Sequence, residues 1–209
     1  FLHSNQKYKY RNCLLVTLGV CIGKRCGDLL DLLISDVLNE DGSVKDRIEI
    51  FYESKTNLAT DVKLNLHAKQ AISDYIGTLE GYHMDDYLFQ SHKRNTDGSV
   101  RPITVQQAWN ILTDAADVLG LDYHVSTHSM RKTFASLTKA ADNSEAGTLT
   151  AQKLLRHKTK EMTSRYTISK RDEDNMVNSI GSMLDNVNTD VKATSNVVYL
   201  DAFRKRAGA

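Results

Sequence analysis

The sequence predicts a mostly helical α+β domain that carries a small antiparallel β-sheet. The chain has 209 residues with 41% hydrophobic content, which is enough to bury one sizeable core. Apolar and polar residues alternate with the period of a β-strand in two neighbouring segments. From residue 104 onwards, apolar residues recur instead at helical spacing. We therefore expect one domain over residues 1–185 and a C-terminal tail over residues 186–209.

The first predicted element is a helix with one apolar stripe, which is formed by Leu14, Leu15, Leu18 and Ile22. The glycine-rich stretch 19–27 is expected to break this helix. A second helix is predicted over residues 28–33. Arg25 is therefore expected at the junction between two helices.

Period-two alternation next predicts a β-hairpin. Its strands are residues 47–53 and 62–66, with a polar loop between them. Lys55 then lies just past the first strand. Residues 87–90 are a candidate for a third short strand.

The middle of the chain predicts a helix over residues 104–119, with Thr104 as its N-cap and Gly120 as its C-cap. Six apolar residues at helical spacing should face the core: Val105, Ala108, Ile111, Leu112, Ala115 and Leu119.

Thr127 is a suitable N-cap for a helix from His128 to about Ala141. Thr148 or Thr150 would likewise begin a helix that ends near His157.

The last predicted helices are residues 161–169, which place Tyr166 on or beside a helix, and residues 172–184. Charge divides this region sharply. Residues 153–171 hold seven Lys or Arg against one acid, whereas residues 172–190 hold five acids and no Lys or Arg. This asymmetry indicates a basic face around Tyr166 and a separate acidic element, although a solvated helix face would have the same composition.

Composition excludes several classes of protein. Three cysteines, Cys13, Cys21 and Cys26, lie in one apolar region without a C-x-x-C motif, which disfavours disulfides and a zinc site. His124 and His128 have the spacing of a metal pair, but only Asp122 is close enough in sequence to complete a set. We expect no metal and no cofactor. No apolar run is long enough for a membrane helix, so we expect a cytoplasmic protein without membrane contact.

Five separated motifs carry a resemblance to a known family. They are Gly23-Lys-Arg-Cys-Gly-Asp-Leu29, Ser54-Lys-Thr-Asn57, Thr127-His-Ser-Met-Arg-Lys-Thr133, Leu154-Leu-Arg-His-Lys-Thr159 and Ser164-Arg-Tyr166. In this order and spacing the chain resembles the catalytic domain of the tyrosine recombinases, the phage-integrase family, and the lambda-integrase branch in particular. The resemblance spans about residues 10–185. Many relatives have Glu where this chain has Asp28.

The resemblance implies the DNA breaking-rejoining fold of the tyrosine-recombinase catalytic domain. It also implies a site-specific recombinase or integrase that cuts and rejoins DNA through a 3′-phosphotyrosyl intermediate, without metal or ATP. Integration or excision of a phage or mobile element would be its task. Relatives carry an N-terminal core-DNA-binding domain, and nothing in these residues resembles one.

The resemblance assigns a role to each motif residue. Tyr166 would be the nucleophile, and Arg25 and Arg131 would bind the phosphate oxygens, a task for which planar guanidiniums are well suited. His128 would be a general base or phosphate donor. It lies three residues before Arg131, and residues i and i+3 of a helix share a face, so both side chains can point at one phosphate. His157 would donate a further hydrogen bond.

Lys55 would be the general acid for the 5′ oxygen, although Lys63 of the second strand is an alternative. Asp28 would support the site or act only as a helix N-cap. Taken singly, each motif residue also has a structural explanation: Tyr166 as a packing residue, His157 as a helix C-terminal residue, and Arg25 as a side chain lying over the core. The conjunction of motifs favours the catalytic interpretation.

The expected partners are double-stranded DNA, three further copies in a homo-tetramer on DNA, and an accessory or directionality protein. We expect a bacterial protein that associates with the nucleoid when it is bound to DNA. Residues 172–184 are a hypothetical docking helix for a neighbouring subunit. Two alternatives stay open: a type IB topoisomerase-like or telomere-resolvase enzyme with the same chemistry, and a noncatalytic DNA-binding module.

Overall fold

Helices dominate the part of the chain that the structure describes. The structure is a computed structural model that describes residues 6–53, 58–142, 144, 150, 152–155, 177–178 and 180–182. The helices are α1 (Gln6–Ile22), α2 (Cys26–Leu30), α3 (Ile34–Val37), α4 (Leu66–Ile76), α5 (Val105–Val118) and α6 (Thr127–Ala141). The strands are β1 (Arg47–Glu53), β2 (Leu58–Lys63), β3 (Gln90–Arg94) and β4 (Val100–Pro102).

Helix α1 is central and packs against both α4 and α6. The four residues of its predicted apolar stripe, Leu14, Leu15, Leu18 and Ile22, are all buried, which confirms that prediction. The break predicted for the whole glycine-rich stretch is wrong in detail. Gly19 lies inside α1, and the helix ends before Gly23, whose φ of 63° is accessible to glycine at little cost. Helix α2 is Cys26–Leu30 rather than residues 28–33.

The predicted hairpin is present as β1 and β2, which pair antiparallel with Arg47 opposite Lys63. Strand β1 has the predicted bounds, but β2 begins before residue 62 and ends at Lys63. The chain leaves the sheet there because Asn65 caps α4, its side chain accepting a hydrogen bond of 2.9 Å from the Ala68 amide. Leu66 is consequently the first residue of a helix and not the end of a strand.

A second two-stranded antiparallel sheet is formed by β3 and β4. The third strand predicted over residues 87–90 is only partly correct. Tyr87 forms an isolated bridge with Leu33, and β3 begins at Gln90. The α+β class is therefore confirmed, with two small sheets in place of one.

Helix α5 confirms the predicted N-cap, whereas Leu119 and not Gly120 occupies the C-cap position. The Thr104 hydroxyl accepts a hydrogen bond of 3.1 Å from the Gln107 amide, and Gly120 follows the helix with a φ of 64°. Val105, predicted to face the core, is instead 48% exposed because it lies in the first turn, beyond the buried stripe that contains Ala108 and Leu112.

Helix α6 begins at Thr127, so Ser126 and not Thr127 occupies the N-cap position. Residues 150 and 152–155 are helical, in agreement with a helix approaching His157. Residues 177–178 and 180–182 are helical too, within the predicted helix 172–184. The predicted helix 161–169 lies outside the described residues. No described helix combines the length and apolar character needed to cross a bilayer.

Candidate active site at the meeting point of α1, α2 and α6

Arg25 lies at the N-cap position of α2, as the predicted junction between two helices requires. Its backbone is extended, with φ of −67° and ψ of 144°, and its side chain remains 26% exposed. The guanidinium therefore reaches solvent from a fixed backbone position. A charged ligand outside the core could contact it.

Asp28 lies beside Arg25 on the buried side of its guanidinium. The carboxylate is buried, with its side chain 1% exposed, and its Oδ2 lies 3.7 Å from Nη1 of Arg25. It belongs to the first turn of α2 and does not occupy the N-cap position, so the interpretation of Asp28 as an N-cap is wrong. A buried carboxylate beside a guanidinium restrains that guanidinium electrostatically.

Two glycines bring α1 close to α6. A Cβ built on Gly19 would lie 2.5 Å from Sδ of Met130, and a Cβ on Gly23 would lie 2.3 Å from Cδ1 of Phe134. A side chain at Gly23 would clash with the buried ring of Phe134, and one at Gly19 would require the Met130 side chain to move, because carbon and sulfur atoms need well over 3 Å. This close crossing sets the first turns of α6 beside the loop that carries Arg25.

Arg131 is buried at this crossing, with 9% of its surface exposed. Its Nη1 donates a hydrogen bond of 2.7 Å to the carbonyl oxygen of Gly23. Its Nη2 donates to the carbonyl oxygen of Leu155. The side chain therefore joins the end of α1 to the helical residues 152–155.

His128 lies in the first turn of α6, three residues before Arg131, and is exposed. The two side chains thus differ in environment: the imidazole faces solvent, whereas the guanidinium is held inside the protein. The N-terminal turn of a helix of 15 residues also carries partial positive charge. An anion placed there would meet His128 first.

The structure brings together the segments that hold three of the five motifs. Arg131 contacts the backbone two residues before Arg25 and two residues before His157. Lys55, His157 and Tyr166 themselves lie outside the described residues.

Within residues 6–53, 58–142 and the shorter described segments, no group of three or more His, Cys, Asp or Glu side chains could hold a metal ion. Burial raises the pKa of the Cys21 thiol to about 12 and that of the Cys26 thiol to about 11. Both thiols are therefore protonated at neutral pH and are poor nucleophiles.

Sequence reasoning missed the two glycines as determinants of the site. Residues four apart share one face of a continuous helix, so the spacing of Gly19 and Gly23 could have indicated a close helix contact, although α1 ends before Gly23. It also missed that Arg131 is bound to backbone carbonyls. No sequence signal distinguishes an arginine bound to carbonyls from one that faces solvent.

Comparison with known protein families gives a match over most of the chain. The family model described as the phage integrase family matches residues 1–173. No curated protein and no solved structure matches the chain. The match covers most of the chain and includes every motif residue from Arg25 to Tyr166. The chain therefore belongs to the phage integrase family, the tyrosine recombinases.

Proposed function

We propose that this protein is a site-specific recombinase that cuts and rejoins DNA strands through Tyr166. The observation that carries the proposal is the double contact of Arg131, whose guanidinium donates to the carbonyls of Gly23 and Leu155. One side chain thereby links the segments that lead to Arg25 and to His157. A single phosphate group placed at this junction would be within reach of residues from separate motifs.

The phosphodiester would be bound by the two arginines. In the reaction, the Tyr166 hydroxyl oxygen forms a bond to phosphorus while the bond from phosphorus to the 5′ oxygen breaks. The extra negative charge on the nonbridging oxygens is met by Arg25 and Arg131, as an oxyanion is stabilised in other transferases. This charge stabilisation is the task that a metal ion performs in other phosphoryl-transfer enzymes.

Protons would move through the remaining residues. His128, exposed at the start of α6, takes the tyrosyl proton or donates to the phosphate, and His157 donates a further hydrogen bond. Lys55 protonates the departing 5′ oxygen. The 3′-phosphotyrosyl bond replaces the broken phosphodiester, so the reverse attack by a 5′ hydroxyl rejoins a strand without ATP.

Residues 1–185 would form the catalytic domain in this proposal, and residues 186–209 a tail. The enzyme would act as a tetramer on two duplexes, with an accessory or directionality protein, in integration or excision of a phage or mobile element. Val177 and Ile180, however, are buried against this same chain. A neighbouring subunit would therefore contact other residues of the helix 172–184 or displace this turn.

A suicide substrate tests the proposal. Duplex DNA from the element's own attachment region, nicked so that the cut strand diffuses away, is incubated with the full-length protein. A labelled protein band of reduced mobility on a denaturing gel is the expected result, because the phosphotyrosyl bond survives denaturation. Tyr166→Phe should abolish the band, since the attacking oxygen is gone.

Tyr123→Phe is the matched control. Tyr123 is exposed and lies outside the five motifs, five residues before His128, so the same loss of one hydroxyl should leave the adduct at the wild-type level. An adduct that persists in Tyr166→Phe, or that disappears in Tyr123→Phe, would assign the nucleophile elsewhere. Absence of an adduct in the wild type would favour a noncatalytic DNA-binding module.

A further inference from the structure

A second group of basic residues lies at the opposite end of α1 from Arg25. Residues 7–11 hold three cations, and residues 90–102 hold three cations against one acid. We call this group the basic platform, formed by Lys7, Arg11, Lys93, Arg94 and Arg101. The whole chain has a net charge of only +1, so this local excess is a feature of the fold and not of the composition.

Three contacts fix the β3–β4 hairpin onto the first turns of α1. Lys7 Nζ donates 2.8 Å to Oε1 of Gln90, and Arg11 Nη1 donates 2.7 Å to the Gln90 carbonyl oxygen. The hydroxyl of Tyr8 lies 2.8 Å from Nδ1 of His92. Because these contacts come from one side of the helix, the hairpin has a defined position relative to α1.

Arg11 is the buried support of this platform. It is largely buried, its guanidinium carbon lies 4.9 Å from the centre of the Tyr8 ring, and two of its nitrogens also donate to Asn12. A guanidinium held in this way contributes a fixed positive charge beneath the hairpin.

Within the platform, Lys7 is close enough to Arg94 and Arg11 for their charges to act on it. Burial lowers the pKa of Lys7, and the charges of Arg94 and Arg11 lower it further, while Asp86 and Glu80 act in the opposite direction. Like charges held together cost free energy in the protein alone. A polyanion bound across them would recover that cost.

The exposed part of the platform suits a phosphate backbone better than a protein partner. His92, Lys93 and Arg94 are exposed, and no described carboxylate forms an ion pair with Lys93, Arg94 or Arg101. Large exposed apolar side chains, which anchor protein interfaces, occur among the described residues only elsewhere: Leu66, Val105, Trp109, Val118 and Tyr123. Surfaces that bind DNA are basic and polar.

We infer that the basic platform binds the phosphate backbone of duplex DNA away from the phosphate that is cut, an inference that rests on the proposed function. Lys7 and Ile22 are separated by most of α1, about 22 Å at 1.5 Å per residue. That length corresponds to roughly six base pairs of B-DNA. The platform would thus hold flanking DNA and add affinity without reading sequence.

The test compares two double variants of the full-length protein in a salt series. Lys93→Gln/Arg94→Gln removes two charges from the platform. Lys45→Gln/Lys69→Gln removes two charges elsewhere, from residues that contact Ser35 and Asp46. Binding to a labelled duplex that spans the cleavage site and its flanks is measured by fluorescence anisotropy, and folding is checked by circular dichroism.

The platform variant should bind about tenfold more weakly at moderate salt, and the slope of log affinity against log salt should fall by about 2, one for each lost phosphate contact. The control variant should keep the wild-type slope. Lys93→Arg/Arg94→Lys, which preserves both charges, should bind like the wild type.

Equal slopes in the two double variants would overturn the inference. So would a changed oligomeric state of Lys93→Gln/Arg94→Gln without DNA, because that result would assign the platform to the acidic segment 172–190 of a second copy. The suicide-substrate adduct separates the two proposals. At saturating DNA the platform variant should still form the covalent adduct. If the proposed function is wrong, the wild type forms no adduct, and the salt slopes still show whether the platform binds DNA.

Discussion

At the scale of single residues, Arg131 combines contacts that the structure shows with the phosphate-binding role that we propose. The motif His-x-x-Arg indicates a phosphate ligand, whereas the fold gives the same guanidinium two backbone carbonyls, those of Gly23 and Leu155. A guanidinium has five N–H donors, so carbonyl contacts and a phosphate contact are compatible. Loss of Arg131 should therefore affect stability as well as cleavage.

We expect Arg131→Lys to lower the free energy of unfolding by about 2 kcal/mol, because one ammonium cannot reproduce two charged hydrogen bonds of fixed direction. Cleavage should fall by about 100-fold or more, as for the loss of an oxyanion donor. Urea denaturation and single-turnover cleavage measure the two effects.

Arg25→Lys is the matched comparison. Arg25 is more exposed than Arg131, and its ion pair with Asp28 is long, at 3.7 Å. Cleavage should fall similarly, while the free energy of unfolding changes by less than about 1 kcal/mol. Equal destabilisation by the two substitutions would show that burial of Arg131 does not carry the proposed structural role.

The cysteines give a prediction about reactivity. Burial raises the pKa of Cys21 to about 12 and that of Cys26 to about 11, whereas Cys13 is half-buried. At pH 8, iodoacetamide should therefore modify Cys13 first in the native protein, as measured by peptide mass spectrometry. Rapid modification of Cys21 or Cys26 without denaturant would contradict the buried position of these thiols.

The same shifts have a defined sign for stability. A thiol whose pKa is raised in the folded protein stabilises that state fully below the unfolded pKa of about 8.5. This contribution is lost as pH rises towards the folded values of about 11 and 12. The free energy of unfolding should accordingly decrease from about pH 8.5 upwards.

At the scale of elements, the caps and the amphipathic helices were predictable because their causes are local. Thr104 satisfies the amides at the start of α5, and Gly120 adopts the positive φ after its end. Helix α4 was not predicted. Its N-cap, Asn65, comes two residues after the end of β2, and residues 62–66 continue the alternation of that strand into the helix.

A turn that occurs twice in the chain was also not predicted. Residues 39–43 and 95–99 share the pattern Asn-x-Asp-Gly-Ser and the same hydrogen bonds, with Asn Nδ2 donating to Ser Oγ at 2.9 and 2.8 Å. Both glycines have positive φ, 81° and 83°. Five residues are too few to be recognised as an internal repeat. The pattern forms a turn because its polar side chains hydrogen-bond within the turn itself.

The close crossing of α1 and α6 predicts unequal effects of two similar substitutions. Gly23→Ala should lower the free energy of unfolding by about 3 kcal/mol, since it combines positive φ with a clash against the buried ring of Phe134. Gly19→Ala should cost about 1 kcal/mol, because the Met130 side chain can move and alanine favours the helix. Thermal and urea denaturation measure both.

Gly81→Ala is the control for these substitutions. No atom lies within 4 Å of the position of its added Cβ, and its φ lies outside the positive range. Its effect should stay within about 0.5 kcal/mol. If Gly19→Ala were the more damaging of the pair, the assigned clash with Phe134 would be incorrect.

At the scale of the whole molecule, the C-terminal turn is tied to the start of α4. Asn65 Nδ2 donates 3.4 Å to the carbonyl oxygen of Val177, and His67 Nε2 lies 2.9 Å from the carbonyl oxygen of Gly181. Ile180 forms a small buried cluster with Phe134 of α6 and Leu155. These contacts join residues on both sides of Tyr166 in sequence.

Asn65→Asp distinguishes the N-cap role of Asn65 from its hydrogen bond to Val177. Aspartate is as good an N-cap as asparagine but lacks the amide donor to Val177. Amide hydrogen exchange in residues 177–182 should accelerate by about fivefold, the equivalent of one lost hydrogen bond of about 1 kcal/mol, while α4 stays protected. Asn65→Ala, which also removes the cap, should accelerate exchange in both segments. If amide exchange in residues 177–182 were unchanged in Asn65→Asp, the hydrogen bond from Asn65 to Val177 would not stabilise this segment.

By itself, the sequence determined the family, the α+β class, the ends of α5 and the identity of the motif residues, because periodicity, caps and motif spacing depend on neighbours along the chain. Only the tertiary structure decided that Arg131 is buried between Gly23 and Leu155 and that Asp28 restrains Arg25. The tertiary structure alone also brings Lys7 close to Arg94. These relations join residues that are distant along the chain or turned toward one another by the fold. They follow from how α1 packs against α6 and from where the β3–β4 hairpin folds back onto α1, neither of which has a local signal.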